Sequence, residues 1–449
     1  MSSSVPVPAR IEASVVHDSE TPAIPQWKAA TRIAFRFCFA YFSSFCLTTQ
    51  ILGGLLLIPG VDFPDLASLR PVRPIVFWTA AHVFHVTTPL VYTGSGSGDK
   101  TFDWLLSFCL LIISAVATLV WSVLDRRRTE YVTLYKWFRL FLRFALASEM
   151  LLYGLIKIVP LQMPFPFLTK LVEPFGSFSP MGVLWSSVGA SPAYEMFAGS
   201  AETLAGVLLI VPRTATLGAL VCLADMIQVF TLNMSYDVPV KLFSFHLVVM
   251  AAFLLAPETQ RLLNFFVLDR PAEPSKCPDL FRERRANRIA VFAQIIFGIW
   301  LIGMNVYGAR ESWRSYGGGA PKSELYGIWN IEQFTIDGQT RPPLITDNDR
   351  WRRLIFDAPS GFAIQRMDDS FLRYGSTINA KSQSIVVTKG GAQNWKASFS
   401  YERPQPTELA LNGEMDGHKL HLQLKLIDRN SFLLVNRGFH WIQEYPFNR

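Results

Sequence analysis

Three strongly apolar stretches of this chain contain 21 or more consecutive residues without a charged side chain. They cover residues 37–60, 104–124 and 289–309. Because an α-helix rises about 1.5 Å per residue, about 20 residues cross the roughly 30 Å hydrocarbon core of a bilayer. Each stretch therefore predicts a membrane-spanning helix.

Four further segments have the length and apolar character of membrane helices if a few ionisable residues are tolerated inside them. They are residues 131–159, 192–211, 214–233 and 239–256, and prolines mark most of their ends. Proline suits the first turn of a helix and interrupts a helix elsewhere. The sequence thus predicts about seven transmembrane helices in an all-α polytopic bundle.

Lysine and arginine positions predict the orientation, because basic residues favour the cytoplasmic side of a membrane. With seven spans, the basic residues of the N-terminal segment, of 126–139 and of 261–288 all fall on one side. An eighth apolar segment, residues 74–92, is interrupted by Pro89. Counting it as a span would place the basic residues of 126–139 on the opposite side of the membrane from those of the N-terminal segment. We therefore predict an outer re-entrant or interfacial helix there, a cytosolic N-terminus and an outside C-terminal domain.

Charge is unevenly distributed along the chain. Charged residues make up 17% of the whole, against roughly 25% in an average soluble domain. Residues 308–449 nevertheless hold 18 Lys and Arg and 15 Asp and Glu. This asymmetry predicts an apolar membrane part followed by a polar domain, and it argues against a soluble enzyme or a nucleic-acid binder.

Hydrophobicity in the C-terminal part alternates with a period of two, as in half-buried strands. Residues 418–427 show the alternation best, with leucines on one face and polar residues on the other. Further strands are predicted at 328–336, 353–356, 362–367, 384–387, 395–401, 407–411, 432–435 and 441–444. Turns are predicted at Asp337-Gly338, Asn412-Gly413 and Asp416-Gly417. Eight to ten strands in about 130 residues predict a small all-β antiparallel barrel-like domain.

The first predicted strand contains Gly327-Ile328-Trp329, which is similar to the lipocalin Gly-x-Trp, with Arg437 as the expected partner of the Trp ring. No catalytic constellation is visible in this domain. The glycine-rich segment 94–101 departs from a phosphate-binding loop because Asp99 replaces its second glycine, and it predicts a flexible turn.

These features divide the chain into seven parts. They are a cytosolic tail at 1–36, two spans with the outer helix at 37–130, a four-helix core at 131–256, a basic cytosolic loop at 257–288, the seventh span at 289–309, a linker at 310–322 and the β domain at 323–449. The five cysteines show no disulfide framework, and no metal site is predicted.

The strongest functional signal is a set of ionisable residues within the four-helix core. Helix rise places Glu149, Glu202 and Asp225 each about 15 Å deep. A charged side chain facing lipid at that depth costs about 2.5–3.5 kcal/mol, so these residues must face the bundle interior. Lys157 and His246 lie nearer the outer end. Gly199 and Gly206 share a helix face and allow close approach of a neighbour. A structural ion-pair role and a proton-handling or ligand-binding role remain equally open.

The same helices resemble the DoxX family of four-helix bacterial membrane proteins. The resemblance covers roughly residues 131–256 and rests on three motifs. These are Gly154-Leu155-Ile156-Lys157, Ala201-Glu202-Thr203-Leu204-Ala205-Gly206, and a turn from Arg213 to Gly218. It implies a location in the bacterial inner membrane. Together with the orientation predicted from the basic residues, this places the β domain in the periplasm. The family takes its name from a subunit of a quinone-reducing respiratory oxidoreductase.

Two functional hypotheses follow from the resemblance and the buried charges. One is an accessory subunit of a quinone-linked oxidoreductase, with a membrane redox partner, in which Glu149, Glu202 and Asp225 handle protons and Lys157 and His246 lie near a quinone head group. The other is a non-enzymatic carrier of a lipid or small apolar molecule, or a structural membrane partner. Beyond the lipid bilayer, the sequence identifies neither a cofactor nor a substrate, and it leaves open whether the protein is an enzyme.

Overall fold

The computed structural model describes residues 26–61, 63, 65–274, 279–390 and 395–448. Most of the predicted cytosolic tail and Cys277 lie outside these residues. The helices are α1 (Ala29–Thr48), α2 (Gln50–Leu55), α3 (Val72–His82), α4 (Thr101–Leu124), α5 (Val132–Ile158), α6 (Leu168–Val172), α7 (Pro180–Gly189), α8 (Pro192–Ile210), α9 (Ala215–Ser235), α10 (Lys241–Leu255), α11 (Thr259–Phe266), α12 (Arg284–Ser315) and α13 (Leu433–Asn436).

Within the described part, four helical segments are long and apolar enough to cross a membrane. They are α4, α9, α12 and the continuous segment Lys241–Phe266, which joins α10 to α11. This composition is compatible with a lipid bilayer. The other predicted spans also form helices: α1 has 20 residues, α5 has 27 and α8 has 19. Ionisable residues within α1, α5 and α8 lower the mean hydropathy of these three helices.

The segment predicted as an outer helix forms only α3, which has 11 residues. A helix of that length extends about 16 Å, too short to cross a bilayer alone. The break between α1 and α2 was not predicted. The chain turns at Thr49, and α2 then runs back along α5. Because Gly54 has no side chain, the Glu149 carboxylate can lie 3.0 Å from the position that a Cβ of residue 54 would occupy.

The glycine-rich segment before α4 has a structural role. The Asp99 carboxylate accepts hydrogen bonds from the backbone N–H groups of Lys241, at 2.8 Å, and Leu242, at 2.9 Å. These are the first residues of α10, whose N–H groups have no partner within the helix. Asp99, the residue that departs from the phosphate-loop pattern, therefore stabilises the start of α10.

The C-terminal part forms an eight-stranded antiparallel barrel. Its strands are β1 (Gly327–Ile336), β3 (Trp351–Ala358), β4 (Gly361–Arg366), β5 (Phe371–Asn379), β6 (Ser384–Thr388), β7 (Lys396–Gln405), β8 (Glu408–Met415) and β9 (His418–Ile427). Each pairs with the next, and β1 pairs with β9 to close the barrel. The two-residue strand β2 (Gln339–Thr340) only extends a hairpin with β1. Eight strands enclose a space that side chains can fill, and here large apolar side chains fill it.

Several strand predictions were wrong for physical reasons. The strand predicted at 432–435 is absent, because the short helix α13 covers residues 433–436. Residues 441–444 form no strand, and β5 was not predicted. The Asn412-Gly413 turn is also absent, because both residues pair with β9 inside β8. A Cβ at Gly413 would lie 2.3 Å from the Ser398 carbonyl, so the glycine permits close strand contact. The Asp337-Gly338 and Asp416-Gly417 turns are confirmed by their positive φ angles.

Trp329 lies fully buried in the barrel, where its ring nitrogen donates to the Leu325 carbonyl at 2.8 Å. The guanidinium of Arg403 lies 5.6 Å from its ring centroid. Arg437, the predicted partner, instead contacts Phe447 and His440. The cationic partner of the Trp ring thus comes from β7, because closure of the barrel brings that strand to the ring.

The barrel docks on the helical part through α6. The Leu168 N–H donates to the Asp357 carboxylate at 2.8 Å, and the Gln365 amide donates to the Val172 carbonyl at 3.1 Å. The Leu168 side chain is buried against Ile328 of β1 and its neighbours on β3 and β4. Polar and apolar contacts therefore fix the barrel to the segment between α5 and α8.

This docking contact predicts a pH dependence. Burial raises the pKa of Asp357 above its ordinary 3.8, while the Leu168 N–H and Arg429 oppose the rise. Just above pH 3.8, Asp357 still holds its proton in the folded protein but has released it in the unfolded chain. The contribution of Asp357 to the free energy of unfolding is therefore full at low pH and falls as pH rises above about 3.8. We expect Asp357→Asn to flatten this fall in thermal unfolding of the full chain between about pH 4 and 7. The control is Glu402→Gln, which removes an exposed charge on β7 and should leave the fall in stability unchanged. Identical pH profiles for Asp357→Asn and the native protein would contradict the assignment.

Candidate functional site

Glycines bring α5 and α8 into direct contact. A Cβ at Gly154 would lie 2.4 Å from Thr203 Oγ1, and one at Gly199 would lie 2.5 Å from the Gly154 carbonyl. A Cβ at Gly206 would lie 2.9 Å from Leu151. The prediction that Gly199 and Gly206 allow close helix approach is confirmed.

This contact places two motif residues together. Lys157 Nζ donates to both carboxylate oxygens of Glu202, at 2.5 and 2.6 Å. Only 9% of the Lys157 side chain and 5% of the Glu202 side chain are exposed. A buried charge needs a partner, and each of these residues supplies one for the other.

Two more carboxylates interact with the same ammonium group. Glu195, fully buried on the first turn of α8, accepts a hydrogen bond from the Met163 N–H at 2.8 Å, and Lys157 acts on it electrostatically. Asp225 on α9 interacts electrostatically with Glu202 and Lys157. Its buried Oδ2 has no hydrogen-bond partner among the described residues. One cation therefore faces three carboxylates.

The ion pair opens on a cavity of about 260 Å³, which we call the ion-pair cavity. Its walls come from α5, α7, α8, α9, α10 and the loop after α5. Most lining side chains are apolar or aromatic, including Met163, Trp185, Val229, Phe243 and Leu247. About a third of the lining residues are polar or charged, among them Gln162, Asn233 and Ser244. A mostly apolar cavity with convergent polar groups is typical of a small-molecule site.

Glu149 occupies a separate position. It is fully buried, and its Oε2 accepts a hydrogen bond from the Gln50 side chain at 2.8 Å. The same Gln50 nitrogen lies 2.8 Å from the Tyr153 hydroxyl, and the Tyr153 side chain lines the ion-pair cavity. Gln50 and Tyr153 thus connect Glu149 to the cavity wall. The sequence did not single out Gln50, although it is the one amide within the first uncharged stretch.

His246 lies apart from these residues in an aromatic cluster. Its ring stacks on Phe45 with centroids 3.9 Å apart. Nε2 forms a hydrogen bond with the Tyr41 hydroxyl at 2.6 Å, and Nδ1 contacts the Leu242 carbonyl at 2.7 Å. His246 does not line the ion-pair cavity. The structure therefore brings Lys157, Glu202 and Asp225 together and leaves His246 outside their group.

The fold and site define a class: a helical bundle with membrane-length apolar helices, a buried ion pair beside a cavity, and a C-terminal barrel. No protein-family model and no solved structure matches the chain. A curated relative, the uncharacterized protein YwoB of Bacillus subtilis (strain 168), is 35% identical over 129 residues, or 29% of this chain and 79% of the relative. The chain belongs to the YwoB family through that segment.

The close contact between α5 and α8 predicts a severe effect of Gly199→Ala. Its methyl group would overlap the backbone of α5 and separate Lys157 from Glu202, so we expect a loss of about 1–3 kcal/mol in stability. Thermal unfolding of the detergent-solubilised protein measures this loss. Gly303→Ala on α12 is the matched control, because nothing lies within 4 Å of its Cβ position. Equal melting temperatures for the two variants would exclude the proposed contact.

Proposed function

We propose that this protein is a seven-span protein of the bacterial inner membrane with a DoxX-like core. The spans are α1, α4, α5, α8, α9, α10 and α12, with the N-terminus in the cytoplasm and the barrel in the periplasm. The distribution of basic residues supports this orientation. The contact between Lys157 and Glu202 supports the DoxX-like core, because each residue belongs to one of the motifs that carry the resemblance.

The proposed activity is binding of a quinone in the ion-pair cavity, as an accessory subunit of a quinone-linked oxidoreductase. The observation that carries this proposal is a buried ion pair at the wall of a mostly apolar cavity. The apolar walls suit the ring and tail of a quinone. The Lys157 ammonium group can donate a hydrogen bond to a quinone carbonyl oxygen.

The carboxylates supply the proton chemistry in this proposal. Reduction of a quinone to a quinol takes up two protons and two electrons, and the electrons come from a membrane redox partner. Three carboxylates around Lys157 cannot all remain ionised at low cost, since buried like charges disfavour each other. Glu202, which lines the cavity, therefore exchanges protons with the ligand, and Asp225 acts on Glu202 electrostatically. Glu149 connects to the cavity through Gln50 and Tyr153.

Glu202→Gln tests the quinone proposal. We expect it to abolish quinone-dependent activity and to weaken binding of a decyl-substituted benzoquinone about tenfold or more, because a charged hydrogen-bonding group is lost. Ligand-induced increases in melting temperature measure binding to the full chain.

Two variants control for loss of structure. Glu195→Gln removes a buried carboxylate from α8 that does not line the ion-pair cavity, keeps an oxygen for the Met163 N–H and should retain quinone binding. The double variant Lys157→Gln/Glu202→Gln removes both charges and avoids leaving a lone buried ammonium group. Native quinone binding in folded Glu202→Gln would overturn the proposal.

The second candidate is a non-enzymatic carrier of a lipid or small apolar molecule. Docking of the barrel on α6 favours it, because the same outer segment continues into α7, which lines the ion-pair cavity. The interior of the barrel is filled, so its role here is to hold this segment in place.

Deletion of residues 320–449 distinguishes the carrier candidate. Without the barrel, α6 and α7 lose their support, and we expect less small-molecule ligand to be retained through purification. Mass spectrometry of gently purified protein measures this content. Unchanged ligand content in the deletion variant would rule out a part for the barrel.

A further inference from the structure

A second cavity lies at the opposite end of α5 from the ion pair. It encloses about 320 Å³ between the first turns of α5, the turn joining α8 to α9, the end of α10 and the start of α12. We call it the basic cleft. Its charged lining consists of Lys136, Arg139, Arg143, Arg213, Glu258 and Asp279.

The basic cleft carries an excess of positive charge, with four basic and two acidic side chains. Glu258 accepts a hydrogen bond from Arg261 at 3.1 Å, so its charge already has a cationic partner outside the lining. Asp279 contributes its backbone carbonyl to Lys136 at 2.5 Å, while the residue itself is exposed. The cleft therefore favours an anion.

Backbone contacts hold two of the guanidinium groups in place. Arg139 donates to the Leu254 carbonyl at 3.2 Å, near the end of α10. Arg143 donates to the Ile210 carbonyl at 3.3 Å, at the end of α8, and to the Gln294 side chain. Because these bonds orient both side chains, less entropy is lost when an anion binds.

An apolar groove continues from the basic cleft. It encloses about 710 Å³ and shares Leu140, Leu280, Ala290 and Gln294 with the cleft. From there it runs between α5 and α12, past Phe144, to Leu55. Gln294 is the only polar residue in its lining within the described part of the chain. The groove therefore suits a hydrocarbon chain.

We propose that the basic cleft and the apolar groove together bind one anionic glycerophospholipid. Its phosphate contacts Lys136 and Arg213 at the cleft, and an acyl chain lies in the groove beside Ala293. Phosphate oxygens form strong charge-assisted hydrogen bonds with Arg and Lys. A free phosphate or an acidic peptide would leave the groove empty, so the continuity of the two cavities selects a lipid.

The position of the site agrees with this ligand. The proposed topology places the basic cleft at the cytoplasmic membrane surface, where basic pockets between helices bind acidic head groups. The lipid would fill the space between α5 and α12, which meet at Gln294 and Arg143. The site is independent of whatever occupies the ion-pair cavity.

Titration of the delipidated full-length protein tests the proposal. Native mass spectrometry should show one phosphatidylglycerol bound, at least about tenfold tighter than phosphatidylcholine with the same chains. Inorganic phosphate should not compete at comparable concentration, because it gains nothing from the groove. Equal binding of the two lipids, or equal binding of inorganic phosphate, would overturn the proposal.

Charge variants test the head-group contact. Lys136→Gln/Arg213→Gln removes two cations from the basic cleft and should weaken phosphatidylglycerol binding about 10- to 30-fold. Arg284→Gln/Arg288→Gln is the matched control, since both residues are exposed at the start of α12 and neither lines the cleft. An equal loss in both double variants would mean a general surface-charge effect and would overturn the specific site.

A groove variant tests the acyl-chain contact without changing charge. Ala293→Trp fills the groove and should weaken binding of phosphatidylglycerol. Ile296→Trp is the control, because Ile296 is 65% exposed and lies outside the groove lining. Native affinity in Ala293→Trp would show that the groove holds no acyl chain.

Discussion

The arrangement of the helical core depends on the buried ion pair between Lys157 and Glu202. Removing one partner of such a pair typically costs about 3–5 kcal/mol, because the other charge is left in an apolar interior. The pair forms because Gly154 and Gly199 let two helix backbones approach to a distance that any Cβ would prevent. Backbone packing and electrostatics are therefore coupled at one place, and the ion-pair cavity opens beside it.

The remaining elements are arranged around this core. On one side, α2 runs back along α5 and provides Gln50 as the hydrogen-bond partner of Glu149. On another, the segment containing α6 and α7 covers the ion-pair cavity and carries the docked barrel. The basic cleft lies at the far end of α5, so this one long helix contributes to both cavities. Its polar face is buried against several partners, which explains how ionisable residues are accommodated in it.

Some features of the fold were predictable because they follow local rules. Uncharged stretches marked the apolar helices, and alternating leucines marked β9. Long-range contacts reversed other predictions: Gly413 has the composition of a turn but lies in a strand where two backbones must come close. Residues 432–435 have strand composition, but all except the first lie in the short helix α13, since β9 already closes the barrel on β1. In the site, Glu149, Glu202 and Asp225 were singled out by their cost in an apolar helix, and Lys157 by the motif that resembles DoxX.

The sequence by itself determined the membrane-like composition of the helices, the β domain and the set of ionisable residues that must avoid lipid. These properties depend on residue type and on spacing along one helix or strand. Only the tertiary structure decided which charges meet. The rotation and axial position of each helix relative to its neighbours depend on how glycines and large side chains pack between them. The tertiary structure placed Lys157 on Glu202, enclosed His246 in an aromatic cluster, and joined a basic cleft to an apolar groove from residues far apart in the chain.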